Sequence, residues 1–200
     1  MKTTTKNSIM KTIKNFSMLA VALTVVFAVG CKKDDDTPAP TPSGGGGHQH
    51  EEEVITTLIL SFVDTAGVQP SVQYAFRDPD GDGGNAPTQH DTIRLVANTY
   101  YNATVQLLNE AETPAEDITL EVQNEDDEHL FCYAPSNTNV SIVRTDSDGT
   151  YEVGIMSRWF TGAMATGETT VTLKHQPGVK DGTCAPGDTD IEVTFITEIQ

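Results

Sequence analysis

The stretch Tyr101-Asn102-Ala103-Thr104-Val105-Gln106-Leu107 decides the fold class, because its apolar and polar residues alternate strictly. Successive side chains of a β-strand point to opposite faces, so this pattern predicts a strand with one face on a core. The same period of two recurs in residues 151–155, 170–174 and 191–195. Several such strands without intervening helices predict an antiparallel β-sandwich.

Shorter apolar runs extend this pattern along the chain. Residues 54–63 are apolar on both faces, which is typical of a central strand. Turn residues such as Asp148-Gly149 and Pro177-Gly178 separate the runs. We therefore expect residues 52–200 to form a single, mainly all-β domain, an Ig-like or Greek-key sandwich of eight to nine strands.

One segment predicts a short helix near residues 114–124. Thr113 would be its N-cap, Pro114 its first helical residue, and Glu116 would complete a capping box. Ile118 and Val122 would then share one face of the helix. The alternation of apolar residues in this segment would also suit a strand, and a helix is the preferred interpretation.

The N-terminal segment has the order of a lipoprotein signal peptide. Four lysines precede an apolar run from Met18 to Val29, and small residues then lead to a cysteine. The segment Ala28-Val29-Gly30-Cys31 resembles the lipobox of bacterial lipoproteins. The resemblance implies removal of residues 1–30 and lipidation of Cys31, with an anchor of several acyl chains.

Residues 31–51 read as a flexible tether between the lipid and the domain. A proline-rich part is followed by four glycines, Gly44 to Gly47. Lys32-Lys33-Asp34-Asp35-Asp36 resembles the export signal of Bacteroidota surface lipoproteins, although a solvated charge run is the plainer interpretation. We expect the outer face of the outer membrane, with the periplasmic face as the alternative.

The charge of the mature chain narrows the classes of partner. Removing the four leader lysines leaves eight basic residues against 29 acidic residues, and so a formal charge of −21. Such a surface argues against binding nucleic acid, and it suits a cation or a cationic partner.

The segment from Arg77 to Asn85 contains half of a calcium-binding loop. Asp78, Asp80 and Asp82 alternate ahead of a glycine, so their carboxylates can converge on one hard cation. The closing glutamate is missing, so the last carboxylate would come from Asp91 or from another loop. The alternative is a hydrophilic hairpin loop. Residues 145–149 repeat the pattern more weakly and are interpreted as a plain turn.

Two cysteines, Cys132 and Cys184, remain after lipidation of Cys31. Disulfides persist outside the cytoplasm, so the pair can form one bridge. The alternative is a buried Cys132 and a free thiol at Cys184.

The histidines give a weaker signal for a metal or haem site. His48 and His50 precede three glutamates on the tether, where metal binding would be adventitious. His90, His129 and His175 lie in the domain without a close ligand spacing. His175 continues an apolar face, so we expect its side chain to point inward.

The aromatic pairs Trp159-Phe160 and Tyr100-Tyr101 suit either core packing or a sugar-binding platform. No nucleophile, phosphate-loop or zinc-protease motif is present in the sequence, so we expect no enzyme activity.

The segments FRDPDGDGGNAP (76–87), LLNEAETPAEDIT (107–119), EDDEH (125–129) and LKHQPGVKDG (173–182) resemble a family of small Bacteroidota lipoproteins. This family is sometimes labelled "type 1 periplasmic binding fold superfamily", and it implies no particular activity. Two triplets also resemble the Bacteroidota O-glycosylation motif, with Thr65 and Thr92 as the acceptors.

Together these features predict a non-catalytic binding or structural module on the cell surface, stabilised by Ca²⁺. Its partners would be the membrane, through the lipid anchor, and an unidentified protein or small molecule. The alternative is a lipoprotein that captures haem, a metal or a glycan for a nutrient uptake system.

Overall fold

The computed structural model describes residues 53–81 and 83–200, which form two β-sheets and one short helix. The predicted signal peptide, Cys31, the tether and Asp82 lie outside the described residues. The elements in chain order are β1 (Thr57–Asp64), β2 (Val72–Arg77), β3 (Gln89–His90), β4 (Ile93–Leu95), β5 (Tyr100–Asn109), β6 (Glu116–Asp117), α1 (Thr119–Asn124), β7 (His129–Ser136), β8 (Val140–Arg144), β9 (Met156–Thr161), β10 (Ala165–His175) and β11 (Asp188–Ile199).

The two sheets confirm the predicted all-β sandwich. The larger sheet has the order β3-β2-β1-β5-β9-β8, with β6 paired to β5, and the smaller has the order β4-β11-β10-β7. Every pairing is antiparallel except that of β4 with β11. The described residues thus contain eleven strands, of which β3, β4 and β6 have only two or three residues.

The core lies between the sheets, where alternate residues of facing strands meet. Phe62 of β1 packs edge-on against Trp159 of β9, with ring centroids 5.0 Å apart. Val171 and Phe195 contribute from the smaller sheet, and both are fully buried. The alternation in β5 is confirmed, because every second residue is buried and the residues between are exposed, apart from the partly exposed Leu108.

Strand β1 is central, as predicted, since it pairs with β2 on one side and β5 on the other. Its two faces differ, however. Leu58, Leu60 and Phe62 are fully buried, whereas Val63 on the opposite face is 50% exposed.

The helix begins later than predicted. Glu116 and Asp117 pair with the end of β5, so Glu116 is committed to a strand and cannot complete a capping box with Thr113. Helix α1 starts at Thr119 and has no side-chain cap. The predicted shared face is confirmed, because Ile118 and Val122 are both buried.

The alternating residues 151–155 form a loop, so the strand predicted there is wrong. The carboxylate of Asp146 accepts hydrogen bonds from the backbone N–H groups of Gly154 and Met156, at 2.7 and 2.9 Å, and thereby holds the loop. Gly154 has φ of +94°, a conformation that disfavours a regular strand. The strand starts at Met156 instead, and Val153 and Ile155 reach the core from the loop.

Candidate functional site

Strand β7, at the edge of the smaller sheet, places His129 beside His175 of the neighbouring strand β10. His129 and His175 are cross-strand partners, and their rings stack with centroids 4.8 Å apart. His129 is fully buried, and the side chain of His175 is 14% exposed. The prediction that His175 points inward is therefore confirmed.

The two ring nitrogens of His129 have different surroundings. Nδ1 lies 3.0 Å from the backbone carbonyl oxygen of Glu125. A carbonyl only accepts, so Nδ1 carries the proton and donates it there. Nε2 lies 3.5 Å from Oε1 of Glu53 and 3.8 Å from Oδ2 of Asp190, and it has no hydrogen-bond partner among the described residues. We call His129, Glu53 and Asp190 the His129 cluster.

A register shift between β10 and β11 places Asp190 in this cluster. Leu173 pairs with Ile191, but the next residue of β10, Lys174, pairs with Thr189, so the pairing skips Asp190. Strict alternation would place Asp190 on the face opposite to the buried side chain of Leu173. A bulge redirects the extra residue, and bulges are frequent next to functional sites.

Burial dominates the electrostatics of the cluster. Burial, together with the nearby carboxylates of Asp190, Glu121 and Glu125, raises the pKa of Glu53 to about 7. Burial also lowers the pKa of His129 below its ordinary value. The imidazole is therefore neutral at neutral pH, with a free lone pair on Nε2.

A pocket of about 400 Å³ opens beside the cluster. Glu53 and Asp190 line it together with Asp78 and Glu192, and Ile55 and Phe76 are among its apolar residues. Among the described residues, four carboxyl groups and no basic side chain line this pocket. Its chemistry suits a cation or a cationic group.

The described members of the predicted calcium site, Asp78, Asp80 and Asp91, are not brought together as the carboxyl groups that line the pocket are. Oδ2 of Asp80 accepts hydrogen bonds from the backbone and side-chain N–H groups of Asn85, at 2.7 and 2.8 Å. Asp91 instead accepts the backbone N–H of Ala75 at 2.8 Å, and Asp78 lies at the pocket. Neither group of three ligating side chains found among the described residues includes Asp78, Asp80 or Asp91. Calcium binding at this loop stays a prediction.

Residues 145–149 form a turn whose carboxylates serve the fold. Oδ2 of Asp148 lies 2.7 Å from Nζ of Lys180, and both side chains are at most 4% exposed. Burial raises the pKa of Asp148, but the Lys180 ammonium and two backbone N–H groups outweigh that effect and hold it below its ordinary value.

Cys132 and Cys184 form a disulfide, as the first interpretation predicted. The bridge joins β7 to the loop between β10 and β11. Of the two predicted glycosylation acceptors, Thr65 is exposed in the turn after β1, and Thr92 is half-buried between β3 and β4. Modification of either residue stays a prediction.

The aromatic pairs divide between the core and the surface. Trp159 and Tyr101 are buried, so core packing is the correct interpretation for them. Tyr100 is 53% exposed and packs against Phe160 on the outer face of the larger sheet, with ring centroids 4.6 Å apart and planes tilted by 34°. His90 lies apart from the other two histidines of the domain, with Nε2 3.0 Å from the carbonyl oxygen of Thr194.

Sequence reasoning missed Glu53 and Asp190 as members of a site. Each has acidic neighbours in the sequence, and no local pattern distinguishes it from them. One signal was available for the histidine: Glu125 precedes His129 by four residues, and a second group of possible ligands joins Glu125, His129 and His175.

Comparison with protein-family models gives no match for this chain, and comparisons with curated proteins and with solved structures give none either. In the described part of the chain, no helix has the length and apolar character needed to cross a bilayer.

Proposed function

We propose that the protein is an outer-membrane lipoprotein, exposed at the cell surface, whose sandwich domain is a non-catalytic binding module. The lipobox-like segment ending at Cys31 supports the anchor, and the proline- and glycine-rich residues 37–47 support a tether. The formal charge of −21 for the mature chain disfavours nucleic acid as the partner.

The observation that carries the binding function is the acidic pocket. Its carboxyl groups come from Glu53, from Asp78 directly after β2, and from β11. Collecting these groups at one concave surface costs stability through mutual repulsion and desolvation. A bound cation offsets that cost, so cation binding gives the arrangement a physical purpose.

Two further classes of ligand, a metal for an uptake system and a glycan, are each favoured by a specific observation. The buried Nε2 of His129 favours capture of a metal for an uptake system, which is the alternative function. The exposed Tyr100–Phe160 pair would suit a glycan, because an aromatic face packs against the apolar face of a sugar ring. Stabilisation by Ca²⁺ at Asp78, Asp80, Asp82 and Asp91 is retained as a further proposal.

The anchoring part of the proposal is tested in a Bacteroidota host that expresses the full chain. Metabolic labelling with radioactive palmitate should mark the protein, and a protease added to intact cells should digest it. The Cys31→Ala variant should lose both the label and the membrane association. An unlabelled wild-type protein would contradict the lipid anchor, and protection from the protease would indicate the periplasmic face.

The binding part is tested with the full-length protein in detergent, stripped with EDTA. Thermal melting is then followed with Ca²⁺, Mg²⁺, Mn²⁺, Zn²⁺ and haemin added separately. A ligand that binds the native state alone must raise the melting temperature. The absence of any shift across this panel would contradict a cation- or haem-binding module.

A further inference from the structure

The three side chains of the His129 cluster are each at least nine-tenths buried. The exposed fraction is 0% for His129, 10% for the side chain of Glu53 and 3% for that of Asp190. Nε2 of His129 faces both carboxylates and has no hydrogen-bond partner among the described residues. A buried polar atom without a partner is costly, and a bound ion would remove that cost.

The distances fit a small cation at the centre of the cluster. Bonds of about 2.0–2.2 Å in tetrahedral geometry place ligand atoms roughly 3.3–3.6 Å apart. In the structure Nε2 lies 3.5 Å from the nearer oxygen of Glu53 and 3.8 Å from that of Asp190. One ligand atom from each of the three residues lies within 4.8 Å of the others. The Glu53 oxygen is thus at tetrahedral spacing from Nε2, and the Asp190 oxygen is about 0.2 Å beyond it.

The surroundings of His129 also match those of a metal ligand. Ligating histidines donate their second ring N–H to a carbonyl or carboxylate, which orients the ring and selects the tautomer. The Nδ1–H of His129 donates to the carbonyl of Glu125 in this way, and the stacked ring of His175 holds the imidazole plane.

From these observations we propose that the His129 cluster binds a divalent transition-metal ion of the zinc class through Nε2 of His129 and the carboxylates of Glu53 and Asp190. The inference rests on the proposed binding function and names its ligand. An imidazole nitrogen among the ligands favours zinc and its neighbours over Ca²⁺ and Mg²⁺, which prefer oxygen.

Three protein ligands leave a fourth coordination position. Glu53 and Asp190 also line the acidic pocket, so the pocket is the path by which an ion enters. A site open on one side exchanges its ion more readily than a closed site with four protein ligands. This property suits capture and transfer of a metal.

The test uses the full-length protein in detergent, stripped with EDTA, with Co²⁺ as a spectroscopic probe and Zn²⁺ as competitor. We expect one equivalent of Co²⁺ to produce visible absorption bands of a low-symmetry site, and Zn²⁺ to abolish them. Glu53→Gln and Asp190→Asn keep the side-chain size and should each weaken Co²⁺ binding at least tenfold. Circular dichroism shows whether each variant is folded.

Two variants serve as matched controls. His90→Gln removes a histidine outside the cluster, and it should leave the Co²⁺ spectrum and affinity unchanged. The double variant His48→Gln/His50→Gln removes the tether histidines and should behave in the same way. His129→Gln should abolish the bands, and if it does not fold, the two carboxylate variants decide the question.

Three results would overturn the inference. These are no Co²⁺ bands in the wild type, bands that survive both carboxylate variants, and binding lost only in the His48/His50 variant. Palmitate labelling of the same preparations is independent of the metal. A labelled protein without a Co²⁺ site would refute the metal inference alone, whereas an unlabelled protein would refute the proposed anchored function.

Discussion

The loop from Asp78 to Asp91 and the His129 cluster both collect carboxylates, but they treat the charge in opposite ways. In the loop, Asp80 is exposed and its carboxylate is satisfied by N–H groups of Asn85. In the cluster, the side chains of Glu53 and His129 are buried, and each has a polar atom without a hydrogen bond to any residue that the structure describes. The loop is rich in aspartate along the sequence, whereas the cluster is assembled from three separate segments.

This difference in burial and hydrogen bonding shows which group of carboxylates would be stabilised by a bound ligand. An exposed carboxylate with backbone donors is stable without a cation, so its presence is weak evidence for a site. A buried polar atom without a donor carries a desolvation cost that a ligand can remove. The following variants test this distinction.

Breaking the Cys132–Cys184 disulfide should cause the greatest loss of stability. The Cys132–Cys184 bridge closes a loop of 52 residues and attaches to β7, which also carries His129. We expect its reduction to lower the free energy of unfolding by about 2–4 kcal/mol. Urea unfolding with and without a reductant measures this loss. A Cys132→Ala/Cys184→Ala variant is the control, because the reductant should not change it, and an unchanged wild-type midpoint would contradict the prediction.

The turn at residues 145–149 contains a third set of carboxylates, one of which is buried and paired with a lysine. Asp148→Ala leaves the nearly buried ammonium of Lys180 without its ion pair, although that group still donates to the carbonyl of Asp126. We expect a loss of about 2–3 kcal/mol in the free energy of unfolding, measured with urea. Changing Lys180→Met in the same protein should recover part of this loss. If the single variant is as stable as the wild type, burial does not determine the role of these carboxylates.

A smaller effect is expected from the protonation of Glu53 in metal-free protein. Its folded pKa of about 7 lies above the ordinary value of 4.5, so the folded state holds the proton more strongly than the unfolded state. The resulting stabilisation is complete below pH 4.5 and is lost as the pH rises through 7.

Glu53→Gln resembles the protonated form at every pH. The lowered pKa of His129 acts in the opposite direction, and we expect it to act in both proteins, so their difference isolates Glu53. The variant should gain stability relative to the wild type between pH 4.5 and 8, measured as the difference between their urea midpoints in EDTA. A difference that does not vary with pH would refute the assigned environment of Glu53.

The smallest effect is expected at the exposed loop. Asp80→Ala removes an acceptor for Asn85 at the surface, where substitutions change stability little. In EDTA the variant should show a urea midpoint indistinguishable from that of the wild type. Millimolar Ca²⁺ supplies the decisive comparison, because stabilisation of the wild type that is absent in the variant would place calcium at the loop and remove the contrast with the His129 cluster.

Periodicity in the sequence is sufficient to predict the fold class and several local features. The alternation in β5 predicts one buried face because side-chain direction in a strand follows from backbone geometry alone. The central position of β1, the inward direction of His175 and the shared face of Ile118 and Val122 also follow from periodicity, and the structure bears them out.

Tertiary contacts set the start of α1, the loop at residues 151–155 and the membership of the His129 cluster. Pairing with β5 diverted Glu116 from a cap, and hydrogen bonds to Asp146 overrode a pattern that resembled a strand. Glu53 and Asp190 meet His129 because the chain folds over long sequence separations and a bulge redirects one side chain. Local periodicity carries no information about such contacts, since they depend on how distant strands are placed beside one another.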